Sequence, residues 1–166
     1  MREFINYDKS IEILNNIKLN KPTTQKVFII DAIGKVIAKD IIADHNSPEY
    51  PTSGMDGYAI KFDDMNNSNI KIIDKNPAGS VVESEVAIGV CIKTFTGSLM
   101  PKGSDTLVPI ENVEVKDDTI KITKPVPFGF ATRDIGENYA KNEVLIKKGT
   151  VIGFAEVGVL ASLNIA

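Results

Sequence analysis

The stretch Val86-Ala87-Ile88-Gly89-Val90-Cys91-Ile92-Lys93-Thr94-Phe95 decides the fold class. Val90, Ile92 and Thr94 alternate with Cys91, Lys93 and Phe95, so one side is more apolar than the other, as in a half-buried β-sheet. Working outward, further short β-rich runs are separated by turn residues every eight to twelve positions. They predict strands at Tyr58–Lys61, Ile70–Ile73, Val86–Phe95, Thr106–Ile110, Val113–Val115 and Thr119–Thr123, the last two joined as a tight hairpin by Asp117-Asp118. A β body over residues 45–138, built as a barrel or sandwich, is the simplest reading.

The two ends have a different texture. Tyr7, Ile11, Leu14 and Ile17 fall on one helical face, with Asn6 placed to cap it and Asp8 in the first turn. Lys26–Ile30 reads as a short extended piece. Ile33, Val36 and Ile37 then predict a second helix over Asp31–Ala38, weakened by Gly34, and a strand follows before residue 44. Near the other end Phe154, Val157, Leu160 and Ala161 predict a helix over Phe154–Leu163. The class is thus α+β. Residues 1–44 and 139–166 are expected to form one elongated, partly helical, discontinuous part, with the β body inserted between them.

Composition narrows the function. Nineteen basic against 22 acidic residues give a net charge of −3, without the basic stripe of a nucleic-acid or anionic-membrane binder. No uncharged run is long enough to cross a bilayer, and an acid arrives before any apolar stretch at the start, unlike a secretory leader. A cytoplasmic setting is therefore expected. The single cysteine, Cys91, excludes an intrachain disulfide and a multi-cysteine zinc site, and reads as a small buried hydrophobe. The single histidine, His45, excludes His-His metal motifs and leaves no base for a Ser-His-Asp triad.

Three stretches serve folding poorly and invite a functional reading. Pro48-Glu49-Tyr50-Pro51-Thr52-Ser53-Gly54-Met55-Asp56-Gly57-Tyr58-Ala59 forms an open loop that can present Ser53 and Asp56 to a ligand or metal. It also reads as a plain turn in which Asp56 bonds backbone amides. Thr96-Gly97-Ser98-Leu99-Met100-Pro101-Lys102-Gly103-Ser104-Asp105 carries small residues and hydroxyls able to cradle an anion, though no Gly-Lys-Ser/Thr follows, so it is not a phosphate-binding loop. In Gly129–Asn138, Arg133 can bind a phosphate or carboxylate in forked geometry, or pair with Asp134 or Glu137 as a structural salt bridge.

In this order, the three stretches resemble the N-terminal part of the molybdopterin molybdenumtransferase family, MoeA in bacteria and the gephyrin E domain in animals. The family's Pro-x-Phe-x-x-Ser-Ala-Met-Asp-Gly-Tyr-Ala motif is similar to residues 48–59, its Thr-Gly-Ala-x-x-Pro-x-Gly-Ala-Asp segment to residues 96–105, and its Arg-x-x-Gly-Glu-Asp segment to residues 133–138. The closing Leu-Ala-Ser-Leu-Gly resembles Leu160–Asn164. The resemblance implies an enzyme that takes adenylylated molybdopterin and molybdate, releases AMP and inserts molybdenum with help from a divalent cation such as magnesium. It implies a homodimer whose active sites lie between subunits.

Carried over by position, the resemblance makes Asp56 the leading candidate for catalysis and for holding the metal. Thr96 is the second catalytic candidate. Ser53, Arg133 and Asn138 are candidates for substrate binding. Asn138 stands where the family has an aspartate; an amide keeps an acceptor oxygen but loses the charge that attracts a cation. The family's cofactor-binding α/β domain, with its Thr-Gly-Asp-Glu signature, is not among these 166 residues. The chain alone is therefore expected to supply one wall of a site and to be inactive. The competing expectation is a non-catalytic dimerisation or peptide-binding β module. The catalytic reading requires Asp56 and Thr96 to lie side by side as exposed tips.

Overall fold

The computed structural model describes residues 4–20 and 22–166. Among these residues the protein is mostly β, with two nine-residue helices, α1 (Tyr7–Asn15) and α2 (Phe154–Ser162). Ten strands run in chain order. They are β1 (Ile41–Ile42), β2 (Thr52–Ser53), β3 (Gly57–Ile60), β4 (Ile70–Asn76) and β5 (Val90–Thr94), then β6 (Thr106–Pro109), β7 (Val113–Lys116), β8 (Thr119–Ile122), β9 (Thr132–Arg133) and β10 (Val144–Ile146).

The main sheet has six strands in the order β6-β3-β5-β4-β8-β7. All neighbours are antiparallel except β4 and β5, which are parallel and joined by residues 77–89. A parallel pair needs such a long crossover because the chain must return to the same end. The two edge strands, β6 and β7, are separated in sequence only by the 3-10 turn Ile110–Asn112. Laid flat at about 4.8 Å per strand, six strands would put these edges about 24 Å apart. The four residue steps from Pro109 to Val113 reach at most about 14 Å. The sheet must therefore curl into a half-barrel. Its interior gathers Tyr58, Ile60, Cys91 and Val108 with Ile70 and Ile120, drawing side chains from five strands into one cluster.

The predicted strand Val86–Phe95 shrinks to Val90–Thr94. Gly89 has φ of +83°, which breaks the extended run, and Val86 N–H leaves to bond Lys102 C=O (2.8 Å). The Asp117-Asp118 hairpin forms as expected, with Asp117 at φ of +51°. Strands β2, β9 and β10 have no counterpart in the sequence reading.

The predicted helix over Asp31–Ala38 does not form. The chain makes a 3-10 turn at Ile29–Asp31, within and just beyond the piece read as extended, and Gly34 takes φ of +79°. Residues 34–37 instead exchange backbone hydrogen bonds with 149–152: Gly34 N–H to Ile152 C=O, Ile152 N–H to Lys35 C=O, Ile37 N–H to Thr150 C=O. That long-range pairing satisfies the amides which a helix would have used. With β1 paired to β10, it brings Ala32 and Ile37 against Ile146, Ile152 and Leu160 in a second apolar cluster. Helix α1 is capped as predicted, Lys9 N–H donating to Asn6 Oδ1 (2.8 Å), but buries none of its residues.

Candidate functional site

Gly57 opens β3 opposite Thr94 at the end of β5, so Asp56 and Thr96 lie just past the last paired rung of an antiparallel ladder. Glycine is required there because a Cβ at residue 57 would stand 2.3 Å from Val108 O on the adjacent strand β6. Thr96 donates twice to Asp56 Oδ1, from its backbone N–H (2.8 Å) and from its hydroxyl (2.7 Å). Both residues are exposed. Thus the two candidates are adjacent and outward-facing. The Thr96 hydroxyl, and then the Thr96 amide, hold the Asp56 carboxyl below its ordinary value, with a smaller contribution from the charge of Lys93. Asp56 is therefore an ionised, hydrogen-bonded carboxylate at neutral pH. Its second oxygen, Oδ2, accepts no hydrogen bond from the described residues.

The loop leading to Asp56 is fastened on both sides by main-chain bonds. Ser53 N–H donates to Ser98 C=O and Gly97 N–H to Ser53 C=O; Met100 N–H donates to Pro51 C=O (each 2.8 Å). On the other flank β2 pairs with β9, and Gly54 N–H donates to Ala131 C=O (2.8 Å). The three stretches singled out in the sequence thus converge, with residues 51–54 between the Thr96 turn and the strand carrying Arg133.

Ser53 does not stand open to a ligand, contrary to expectation. It is 1% exposed, and its hydroxyl donates to Met55 C=O (2.6 Å), shaping the turn into Asp56. Arg133 is half-buried; its Nε donates to Glu137 Oε1 (3.0 Å) and its guanidinium also donates to Asn138 Oδ1. The Asn138 amide in turn donates to Ser47 Oγ (3.1 Å). Asn138 thus joins Arg133 to the Ser47 loop, its amide oxygen accepting while its nitrogen donates. His45 contacts Asp44 through Nδ1 and Tyr139 Oη through Nε2, away from these groups in hydrogen bonding. Cys91 is buried in the half-barrel, and burial pushes its thiol up to about 12.

Among the described residues, no group of three or more His, Cys, Asp or Glu side chains is arranged to hold a metal. Asp56 therefore offers a single carboxylate. The sequence reading missed the turn's support, above all buried Asn76, whose place before Pro77 looks like an ordinary turn.

Comparison with known proteins shows the family to which the chain belongs. The family model described as "MoeA N-terminal region (domain I and II)" matches residues 5–164. The chain belongs to that family. It is 30% identical over 145 residues to a molybdopterin molybdenumtransferase of Haemophilus influenzae, covering 86% of this chain and 36% of that protein. A Staphylococcus aureus molybdopterin molybdenumtransferase is 31% identical over 146 residues, covering 84% and 35%. The chain thus spans about a third of the length of these relatives. The crystal structure of a molybdopterin biosynthesis MoeA protein from Pyrococcus horikoshii superposes with a TM-score of 0.90 at 31% identity, covering 98% of this chain and 45% of that one.

Proposed function

We propose that this chain is the N-terminal region of a molybdenum-inserting transferase in molybdenum cofactor biosynthesis. Its substrates are adenylylated molybdopterin and molybdate, and its products are AMP and the molybdenum-loaded dithiolene. The observation that carries this reading is the Asp56–Thr96 pair: an exposed, ionised carboxylate held rigid by two hydrogen bonds to one oxygen while the other stays available. Such a group suits a hydrated divalent cation, because magnesium binds through one or two carboxylates and keeps waters and substrate oxyanions as its remaining ligands. When bound, the cation supplies charge neutralisation for the oxyanions of the substrate. Asp56 orients it, Thr96 holds Asp56 in place, and Arg133 with Asn138 fixes the neighbouring loop from which substrate contacts are made.

The pair lies at the surface, so its pocket is completed by another polypeptide face. We assign that face to a cofactor-binding domain of a partner in a homodimer. The unburied Tyr7, Ile11 and Leu14 of α1 support association, since an apolar helix face seeks cover. Residues 1–44 and 139–166 act as one discontinuous part around the β body of 45–138, a division supported by the cluster joining Ala32 and Ile37 to Ile146 and Leu160. No helix among the described residues is long and apolar enough to cross a membrane. The 166 residues alone do not turn over.

The test is a chimera in which this chain replaces the matching region of the Haemophilus influenzae relative. With AMP release and molybdenum insertion as readouts, Asp56→Asn is expected to lower turnover by about 10²-fold or more, as for loss of a positioned electrostatic group. Full activity of that variant would remove Asp56 from the mechanism.

A further inference from the structure

The turn that carries Thr96 is held by a buried polar residue, Asn76. Asn76 ends β4, opposite Thr94 at the end of β5, and is 2% exposed. Its amide Nδ2 donates to Leu99 C=O (2.7 Å), on the far side of the turn that carries Thr96. Its backbone carbonyl accepts from Ser98 Oγ (2.8 Å) and from Phe95 N–H (3.3 Å). Ser98 is itself 1% exposed. Asn76 therefore grips residues 95, 98 and 99, the two ends of the turn whose middle presents Thr96 and Gly97.

Strand ends disfavour a buried asparagine unless its amide is satisfied, because an unpaired buried polar group is costly. Here the amide nitrogen serves a carbonyl 23 residues away (2.7 Å), while the amide oxygen accepts a longer bond from Ser80 Oγ (3.4 Å) in the turn that follows. The remaining edge of the turn is tied to the Asp56 loop, through Ser53 N–H to Ser98 C=O and Gly97 N–H to Ser53 C=O. Position therefore passes from β4 through Asn76 to the turn, and from the turn to Asp56.

We propose that Asn76 is a positioning residue for the Asp56–Thr96 pair, setting the turn so that both Thr96 donors reach one carboxylate oxygen. The functional weight of this rests on the proposed role of the pair; the positioning itself does not. Without the amide, the turn loses its anchor at Leu99 and both Thr96 donors drift together.

Carbon NMR titration of the Asp56 carboxylate in the 166-residue chain provides the test. Asn76→Leu, which is neutral and of similar size, should shift the Asp56 titration upward by at least as much as Thr96→Val does. The shift of the Asn76→Leu/Thr96→Val double variant should be smaller than the sum of the two, since both act on the same contacts. Cys91→Ala, a buried change elsewhere in β5, should leave Asp56 where it is. If Asn76→Leu does not fold, Ser98→Ala, which removes only the hydroxyl on the Asn76 carbonyl, carries the same expectation. An unshifted Asp56 in a folded variant overturns the proposal, as does an equal shift in Cys91→Ala. In the chimera, Asn76→Leu should lower kcat with little change in KM. A shifted titration with unchanged insertion would leave the positioning intact and overturn the catalytic role of the pair.

Discussion

Gly57→Ala is the most severe small substitution this structure predicts. Gly57 lies on β3, which is bonded on both sides, to β5 and to β6. An added Cβ would meet Val108 O at 2.3 Å, Val108 C at 3.0 Å and Leu107 Cγ at 3.1 Å. To restore ordinary contact near 3.4 Å the Val108 carbonyl must retreat about 1 Å. That carbonyl is backbone of β6, which is buried at every position, so no flexible side chain can absorb the movement. Overpacking in a well-filled core costs about 1–3 kcal/mol. Parting two rungs of the β3–β6 ladder adds about 1 kcal/mol per hydrogen bond weakened. A loss of about 3 kcal/mol or more is expected. Gly54, three residues earlier, is the internal control. Its Cβ would find Ala131 O at 3.4 Å and Arg133 Cγ at 3.6 Å, ordinary contacts, and its φ is not positive. Gly54→Ala should therefore be neutral or gain up to about 1 kcal/mol by restricting the unfolded chain. Urea titrations of both variants decide the matter. A Gly57→Ala protein within 1 kcal/mol of the parent would refute the steric argument.

Other outcomes follow from the same structure. Because Thr96 holds the Asp56 carboxyl low, its stabilising effect is present above the ordinary aspartate pKa and is lost as pH falls through the depressed folded value. Thr96→Val should be less stable than the parent near neutral pH and converge with it in acid, when urea midpoints are compared across pH; a pH-independent difference would argue against the linkage. The Cys91 thiol, buried and raised to about 12, should resist alkylation at mildly alkaline pH in the native state and react at once on unfolding. Asp64 is 1% exposed and accepts from Gly89 N–H (2.8 Å) and Asn67 Nδ2 (3.1 Å), so Asp64→Ala removes the acceptor of two half-buried amides and should cost about 1 kcal/mol or more by denaturant titration.

The sequence is legible where structure is decided locally. The strand around Cys91, the hairpin at Asp117-Asp118 and the helical spacing after Phe154 all depend on near neighbours, and all appear in the fold, although β5 buries Cys91 and Ile92 alike instead of alternating, because it is covered on both sides. The helix expected over Asp31–Ala38 fails because its amides find partners at residues 149–152, more than a hundred positions away. Strands of two or three residues, such as β2 and β9, are too short to show a period. The neighbouring placement of Asp56 and Thr96, 40 residues apart, is an expectation of the catalytic reading that β3–β5 pairing fulfils, whereas the burial of Ser53 is not expected. A serine in a proline-flanked loop looks exposed until the main chain of residues 97–98 closes over it. Asn76 escapes notice for the same reason, since its partner carbonyl at Leu99 carries no signature in the residue type.

The fastening of residues 51–54 by amides and carbonyls has a consequence for how this region can change over time. Main-chain atoms are common to nearly every amino acid, so the loop's course survives when its side chains are exchanged. New chemical groups can be mounted on an unchanged frame. The shape is inherited separately from the reactivity it displays.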